Sequence, residues 1–462
     1  MHHPDRTRGI PRAVALHYSV APAVPASAED GVVEVVAAEA LVPASVAEIE
    51  QLTGVRIRVS GVSREGYQAR LAQVYGIGAA AIEEDRASPP PGEAILPPEA
   101  GVVRFVDEII AEAVRRGATD LHLEPSVDGL RIRLRVDGLL QAVQAPHDLT
   151  AHDRRIVARI KVMAGLDSTP STTPRDGAIR RDGRDLRISV LPTAAGEAVH
   201  VRILPQWGDF PTVEELGVSP DRGRMLRNLM RMRSGLVVAC GPTGSGKSTT
   251  LHVLLRTGVP STEKVITVED PVEFRIPEAV QVEVSPVLTF ADALRAVLRH
   301  DPDVILVGEM RDAESARIAL QASLTGHLVL TSLHTDDEAQ AITRLLTLGM
   351  DRPLLAAALR ALISQRLVRR GCRACQGTGF SHSSQCEVCR GSGYRGRVGL
   401  FRVTMVRALV RQMIEGGSPE EEIREHMDSA GEPSLHAQAR RMADEGMTTE
   451  AEIARVMGLS MP

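Results

Sequence analysis

The sequence predicts an α/β core, a mostly parallel sheet covered on both faces, preceded by smaller α+β domains. Three observations carry this reading. From Pro211 to Arg370 short apolar runs alternate with helical patterns, the order of elements that winds a parallel sheet. The runs themselves, Leu236 to Cys240, Val265 to Val268, Val304 to Val307 and Leu328 to Leu333, are bounded by Gly, Asp or Pro, as strands buried on both faces are. The first of them leads straight into a glycine loop and then a helical pattern.

At 462 residues the chain has length for about three domains with real cores. Aromatic residues are only 2% of the total, so those cores must be built from Leu, Val, Ile and Ala. A net charge of -5 over this length gives no general attraction to nucleic acid or another polyanion. No run of about 18 apolar residues occurs, which excludes an ordinary membrane-spanning helix.

Along the chain, residues 1–30 read as a disordered tail. Pro22 and Pro25 interrupt an apolar stretch that otherwise faintly resembles a signal peptide. Residues 31–82 mix short apolar runs with helical patterns and read as a small α+β domain. Residues 83–97, charged and Pro-rich, are a linker. A second α+β domain spans 98–209. It opens on a helix with apolar positions at Val102, Val106, Ile109, Ile110 and Ala113, and it contains a hairpin turn at Asp137-Gly138. The engine domain covers 210–402, including a cysteine element at 371–395, and residues 403–462 carry helical periodicity. No internal repeat is present.

The glycine loop reads Gly241-Pro242-Thr243-Gly244-Ser245-Gly246-Lys247-Ser248-Thr249. Its glycines let backbone N–H groups wrap phosphates, and the following helix adds its positive N-terminal end. Lys247 supplies a point charge to the β and γ oxygens, and Ser248 can ligate Mg²⁺. Lys is scarce in this Arg-rich chain, occurring only at Lys161, Lys247 and Lys264. A lysine that persists therefore has a stronger claim to a specific task. The motif predicts ATP or GTP binding.

Phosphoryl transfer also needs carboxylates for the metal and the attacking water. Two clusters stand where strands end, at Glu269-Asp270-Pro271-Val272-Glu273 and at Gly308-Glu309. Open α/β sheets bind ligands at those strand ends. A third chemical element lies further on. Cys372-x-x-Cys375 and Cys386-x-x-Cys389, with ten residues between the pairs, have the spacing of a tetrahedral zinc site. Four thiolates leave no open coordination position, so that zinc would be structural. Paired cysteines of this kind suit a reducing compartment better than a disulfide scaffold.

From about residue 30 onward the chain resembles the type II secretion and type IV pilus assembly ATPases (GspE/PilB-like). Thr267 to Glu273 is similar to that family's acidic box. Leu298 to Asp312 resembles its Walker B segment, and Leu324 to Thr335 its histidine box. The resemblance implies a RecA-like core, a PAS-like second domain, ATP, Mg²⁺ and structural Zn²⁺. By position it gives Mg²⁺ to Ser248 and Glu309, the attacking water to Glu273, and γ-phosphate sensing to His334. Glu269 and His327 stand behind these. Family members carry arginine fingers on the second domain, where Arg187 and Arg202 occupy the corresponding strands. An always-charged planar guanidinium suits a transferring phosphate. One departure is visible at Asp167 to Ala178, where basic residues usual in the family are absent.

The resemblance further implies a homo-hexamer in the cytoplasm, peripheral at the inner membrane. It would be attached through a platform protein and a cytoplasmic docking protein, with 31–82 as the docking domain. The cysteine element argues for assembly of a pseudopilus or pilus over retraction. Two alternatives compete: a nucleic-acid-translocating ATPase, or a nucleotide-binding scaffold without turnover. Few stacking aromatics and no basic stripe oppose the first. Retention of Lys247, Ser248, Glu273 and Glu309 opposes the second. A pilus motor used in DNA uptake shares all of these parts.

Overall fold

The computed structural model describes residues 10–23, 32–76, 100–127, 129–144, 153–206, 211–381, 384–429 and 432–458. It divides into two compact units, Met1–Leu204 and Pro205–Pro462.

The first unit begins with α1 (Arg12–His17), β1 (Val20–Pro22), β2 (Val32–Ala37), α2 (Pro43–Thr53), β3 (Arg56–Gly61) and α3 (Arg64–Tyr75). Here the expected tail is corrected. Residues 10–23 are ordered, because β1 pairs antiparallel with β2 and completes a three-stranded sheet. Ile10, Ala15, Val20 and Ala21 are fully buried, so these residues supply apolar surface that the small domain needs. The hydroxyls of Tyr75 and Tyr67 donate to the carbonyls of Ile10 and Ala15, tying the segment down. Pro22 read as a breaker, but it closes an edge strand, where a missing N–H costs nothing. The expected linker at 83–97 lies outside the described residues.

There follow α4 (Ala100–Arg115), β4 (Ala118–Ser126), β5 (Gly129–Val136), β6 (Leu139–Ala142), α5 (Asp153–Met163), β7 (Arg175–Arg181), β8 (Arg184–Thr193) and β9 (Gly196–Ile203). The strands form one antiparallel sheet in the order β6-β5-β4-β9-β8-β7. Phe105, Ile109, Ile156 and Ile160 of the two helices are fully buried in a cluster with Leu121, Leu134 and Val201 of the strands. Alternate strand residues face away, which is where Asp120, His200 and Arg202 stand.

In the second unit α6 (Pro220–Leu229) precedes β10 (Gly235–Cys240), α7 (Lys247–Gly258), β11 (Val265–Glu269), β12 (Ala279–Glu283), α8 (Phe290–Val297), β13 (Val304–Val307), α9 (Ala313–Leu324), β14 (Leu328–Leu333), α10 (Glu338–Thr347) and α11 (Arg352–Ala358). A long hairpin, β15 (Leu359–Gly371) and β18 (Tyr394–Met405), holds the cysteine element and the short strands β16 (Phe380–Ser381) and β17 (Ser384–Gln385) between its arms. The sheet order is β12-β11-β13-β14-β10-β15-β18, parallel throughout except for the last pair. All four predicted buried strands are present, and β10, β13 and β14 are buried at every position.

The chain closes with α12 (Ala408–Gly416), α13 (Glu420–Ser429), α14 (Leu435–Asp444) and α15 (Glu450–Met457). Glu452 of α15 is fully buried and accepts from both Arg369 of β15 and Arg455. These charge-assisted bonds hold its carboxyl down at about 2 against the cost of burial. Among the described residues no helix is long and apolar enough to cross a membrane.

Candidate active site

Register alone brings three of the predicted groups together. Cys240 pairs with Leu333 and Val307 with Thr331, so Gly241, Glu309 and His334 all leave neighbouring strands at one edge of the sheet. This is the carboxyl edge, where a parallel sheet presents its loops to ligands.

The glycine loop turns from β10 into α7, with Gly246 at φ +89 as the residue before the helix. A Cβ on Gly246 would stand 2.7 Å from the side-chain amide of Gln365, and one on Gly241 would stand 2.6 Å from the Gln365 carbonyl. Gln365 of β15 thus closes the back of the loop, and it also accepts from the Thr250 hydroxyl at 2.9 Å. The Oγ of Ser245 and the Oγ1 of Thr335 are buried without a hydrogen-bond partner among the described residues. A loop without side-chain bulk and with idle donors beside it fits a phosphate chain.

Lys247 is buried, and its Nζ donates to the carbonyls of Gly241 at 2.7 Å and Pro242 at 3.0 Å. Burial pushes the ammonium down to about 8, with Glu309 among the neighbours that oppose this. The same Nζ lies 3.4 Å from His334 Nδ1. His334 Nε2 in turn lies 3.3 Å from Glu309 Oε2, and Thr243 Oγ1 is 3.4 Å from Nδ1. Arg311 pairs with Glu309 and, at 3.0 Å, with Asp270. A cleft of about 500 Å³ opens beside these groups, walled by Glu309, His334, Thr335 and Arg344. Ser248, half-buried in the first turn of α7, has the hydroxyl, and Glu309 the carboxylate, that a Mg²⁺ ion would use.

The acidic box divides. Glu269, at the end of β11, is buried. It accepts from Thr267 Oγ1 at 2.6 Å and Gln281 Nε2 at 3.2 Å, and lies 3.0 Å from His252 Nε2. Burial works against its charge, yet these bonds, His252 foremost, hold the carboxyl below the usual carboxylate range. Glu273 is half-buried in the loop between β11 and β12. His327 precedes β14, at the edge of the sheet opposite to His334, with its Nδ1 3.0 Å from the Ala322 carbonyl. That places it outside the site. His252, Gln281 and Gln365 were not singled out from sequence. The available signal was a lone polar residue within an apolar pattern, as in Leu251-His252-Val253-Leu254.

Arg187 and Arg202 belong to the first unit, where they are register partners on β8 and β9. Arg202 Nε donates to Asp120 at 3.3 Å, and His200 Nε2 lies 2.9 Å from the same oxygen. Burial disfavours the Asp120 charge, but His200, Thr119 and Arg202 together hold the carboxyl far below its ordinary value. The altered loop at 167–178 has its own anchor. Lys161, fully buried, donates to the Thr169 carbonyl at 2.6 Å and to Glu197 at 2.8 Å, and Glu197 also accepts from the Ser171 N–H.

The four sulfurs of Cys372, Cys375, Cys386 and Cys389 lie within 4.8 Å of one another, all buried. Those of Cys375 and Cys389 are 3.6 Å apart. Four Zn–S bonds of about 2.3 Å in a tetrahedron separate the sulfurs by about 3.8 Å, so the set fits zinc.

Comparison with known proteins agrees with this geometry. The family model described as "Type II/IV secretion system protein" matches residues 97–455. The chain is 42% identical over 365 residues to the type II secretion system protein HxcR of Pseudomonas aeruginosa, covering 77% of each. It is 38% identical over 385 residues to the type IV pilus assembly ATPase PilB of Thermus thermophilus, covering 77% of this chain and 43% of that one. The crystal structure of the pilus retraction motor PilT with bound ADP superposes with a TM-score of 0.53 at 26% identity, over 75% of this chain and 95% of that one.

Proposed function

This chain belongs to the type II/IV secretion system protein family, and from that premise we propose that it is the ATPase that drives assembly of a type II secretion pseudopilus or a type IV pilus. The observation that carries the reading is the convergence of Lys247, Glu309 and His334 at one edge of a parallel sheet. Phosphoryl transfer asks the protein for positioning and electrostatics, and these groups offer both.

In this reading the N–H groups of residues 243–248 wrap the β and γ phosphates, and Lys247 exchanges its two loop carbonyls for phosphate oxygens. Ser248 and Glu309 would hold Mg²⁺, which would supply positive charge to offset that of the phosphates. Glu273 orients and deprotonates the attacking water. His334, already bridging Lys247 and Glu309, registers whether a γ-phosphate is present. Arg187 and Arg202 stabilise the charge that develops on the transferring group. The cysteines hold one structural Zn²⁺.

Six copies form the working ring, in the cytoplasm and peripheral to the inner membrane. An inner-membrane platform protein receives the motion, and residues 31–82 serve as the attachment to a cytoplasmic docking protein. Nucleic-acid translocation is not favoured, since the matched family and relatives are secretion and pilus proteins.

ATP turnover by the wild type, Lys247→Ala and Glu309→Ala tests the reading, with DNA and RNA as added effectors. Wild-type turnover indifferent to nucleic acid, and loss of at least about 100-fold in both variants, is expected. Equal rates in all three proteins would refute it.

A further inference from the structure

We infer that His252 is a positioning residue for hydrolysis: a strut, completed by Glu269 and Gln281, that fixes the Glu273 segment against the phosphate-loop helix. The inference rests on the reading of Glu273 as the residue that handles the attacking water.

The geometry runs continuously from one catalytic element to the other. His252 sits on α7, one turn after Ser248, and its Nδ1 is 2.7 Å from the Ser248 carbonyl. Its Nε2 is 3.0 Å from Glu269 at the end of β11. Its ring meets the Phe274 ring edge to face, with centroids 4.9 Å apart. Phe274 is the neighbour of Glu273. The Glu269 carboxylate then accepts from Gln281 of β12, and Gln281 grips the same segment at two further points. Its Nε2 donates to the Phe274 carbonyl at 2.7 Å, and its Oε1 accepts from the Ile276 N–H at 2.7 Å.

His252 and Glu269 are enclosed, and Gln281 is half-buried. His252 is 3% exposed and Glu269 4% exposed. Both spend their polar atoms on protein partners, so in this inference their contribution passes through the groups they hold. A buried carboxylate and imidazole are costly to desolvate and are retained only where each is bonded, which rigidifies the elements they join. What the polar strut adds is a fixed distance and orientation between Ser248, the Mg²⁺ ligand of the reading above, and the backbone that carries Glu273. Misplacing a reacting group by about 1 Å can cost on the order of 100-fold in rate.

The test compares His252→Leu, His252→Gln, Glu269→Ala and Glu269→Gln with wild type, measuring kcat and KM for ATP alongside the thermal unfolding midpoint. His252→Leu and Glu269→Ala should lower kcat by about 10- to 100-fold while KM moves by less than about threefold. Glu269→Gln should recover most of the loss, because its oxygen can accept from Thr267 and Gln281 while its amino group donates to His252. His252→Gln, which retains one polar link, should lie between and guards against a variant that fails to fold. A merely structural role predicts a lowered unfolding midpoint with kcat per folded chain unchanged, and that result overturns the inference. So does a rise in KM at constant kcat. Glu273→Ala is the companion measurement. If it is inactive while His252→Leu turns over normally, the strut fails and the reading of Glu273 survives. If Glu273→Ala is fully active, both fail.

Discussion

His334 Nε2 stands 3.3 Å from Glu309 Oε2, while the other ring nitrogen faces Lys247 at 3.4 Å, so one imidazole spans the acidic and basic halves of the nucleotide site. His334→Ala should therefore leave ATP binding within a few-fold of wild type and lower kcat by about 10- to 100-fold. His334→Gln, which can still bridge the two groups, should lose less. Steady-state ATP turnover with separate kcat and KM separates these outcomes.

Gly246 stands at φ +89, where a side chain is strained, and an added Cβ would meet Gln365 at 2.7 Å. Gly246→Ala should displace the loop and weaken nucleotide binding by at least about tenfold, as read by titration with a fluorescent ATP analogue. Gly244 also has a positive φ, +77, but nothing lies within 4 Å of its Cβ position. Gly244→Ala should be the milder variant of the two.

The carboxyl of Asp120 is held far below its ordinary value in the folded chain, chiefly by His200, Thr119 and Arg202 acting against burial. A group with a depressed folded pKa contributes stability that is present above its unfolded value, about 3.9, and is lost as the pH falls below it. Asp120→Asn should lower the unfolding midpoint at about pH 7, and the gap to wild type should narrow towards about pH 3. A gap independent of pH would show that the Asp120 charge contributes nothing. On the role proposed for Arg202, the loss of its carboxylate partner should also lower kcat.

The buried sulfurs of the β15–β18 hairpin predict one zinc per chain by elemental analysis of the purified protein. Cys375→Ser should reduce zinc content and lower the unfolding midpoint, since a structural zinc contributes folding energy directly. Turnover per folded chain should persist, because all the candidate catalytic residues lie outside the cysteine element.

Sequence alone determined the phosphate loop, the four buried strands of the engine domain, the zinc spacing and the resemblance to secretion and pilus ATPases. Each of these is written locally, as a strand–glycine–helix succession, an unbroken apolar run or a fixed interval between thiols. Tertiary structure decided what depends on partners distant in the chain. Residues 10–23 are ordered because β2, Tyr67 and Tyr75 receive them, which no pattern within those residues records. Glu269 and Glu273 stand four positions apart in one acidic box. Yet His252 and Gln281 draw Glu269 into the interior, while Glu273 lies on the loop that they hold. His327 and His334 flank a single strand, and strand direction sends them to opposite edges of the sheet. Local chemistry is legible from residue type and spacing. Which of two like residues is drawn into the interior is settled by the long-range bonds made to it.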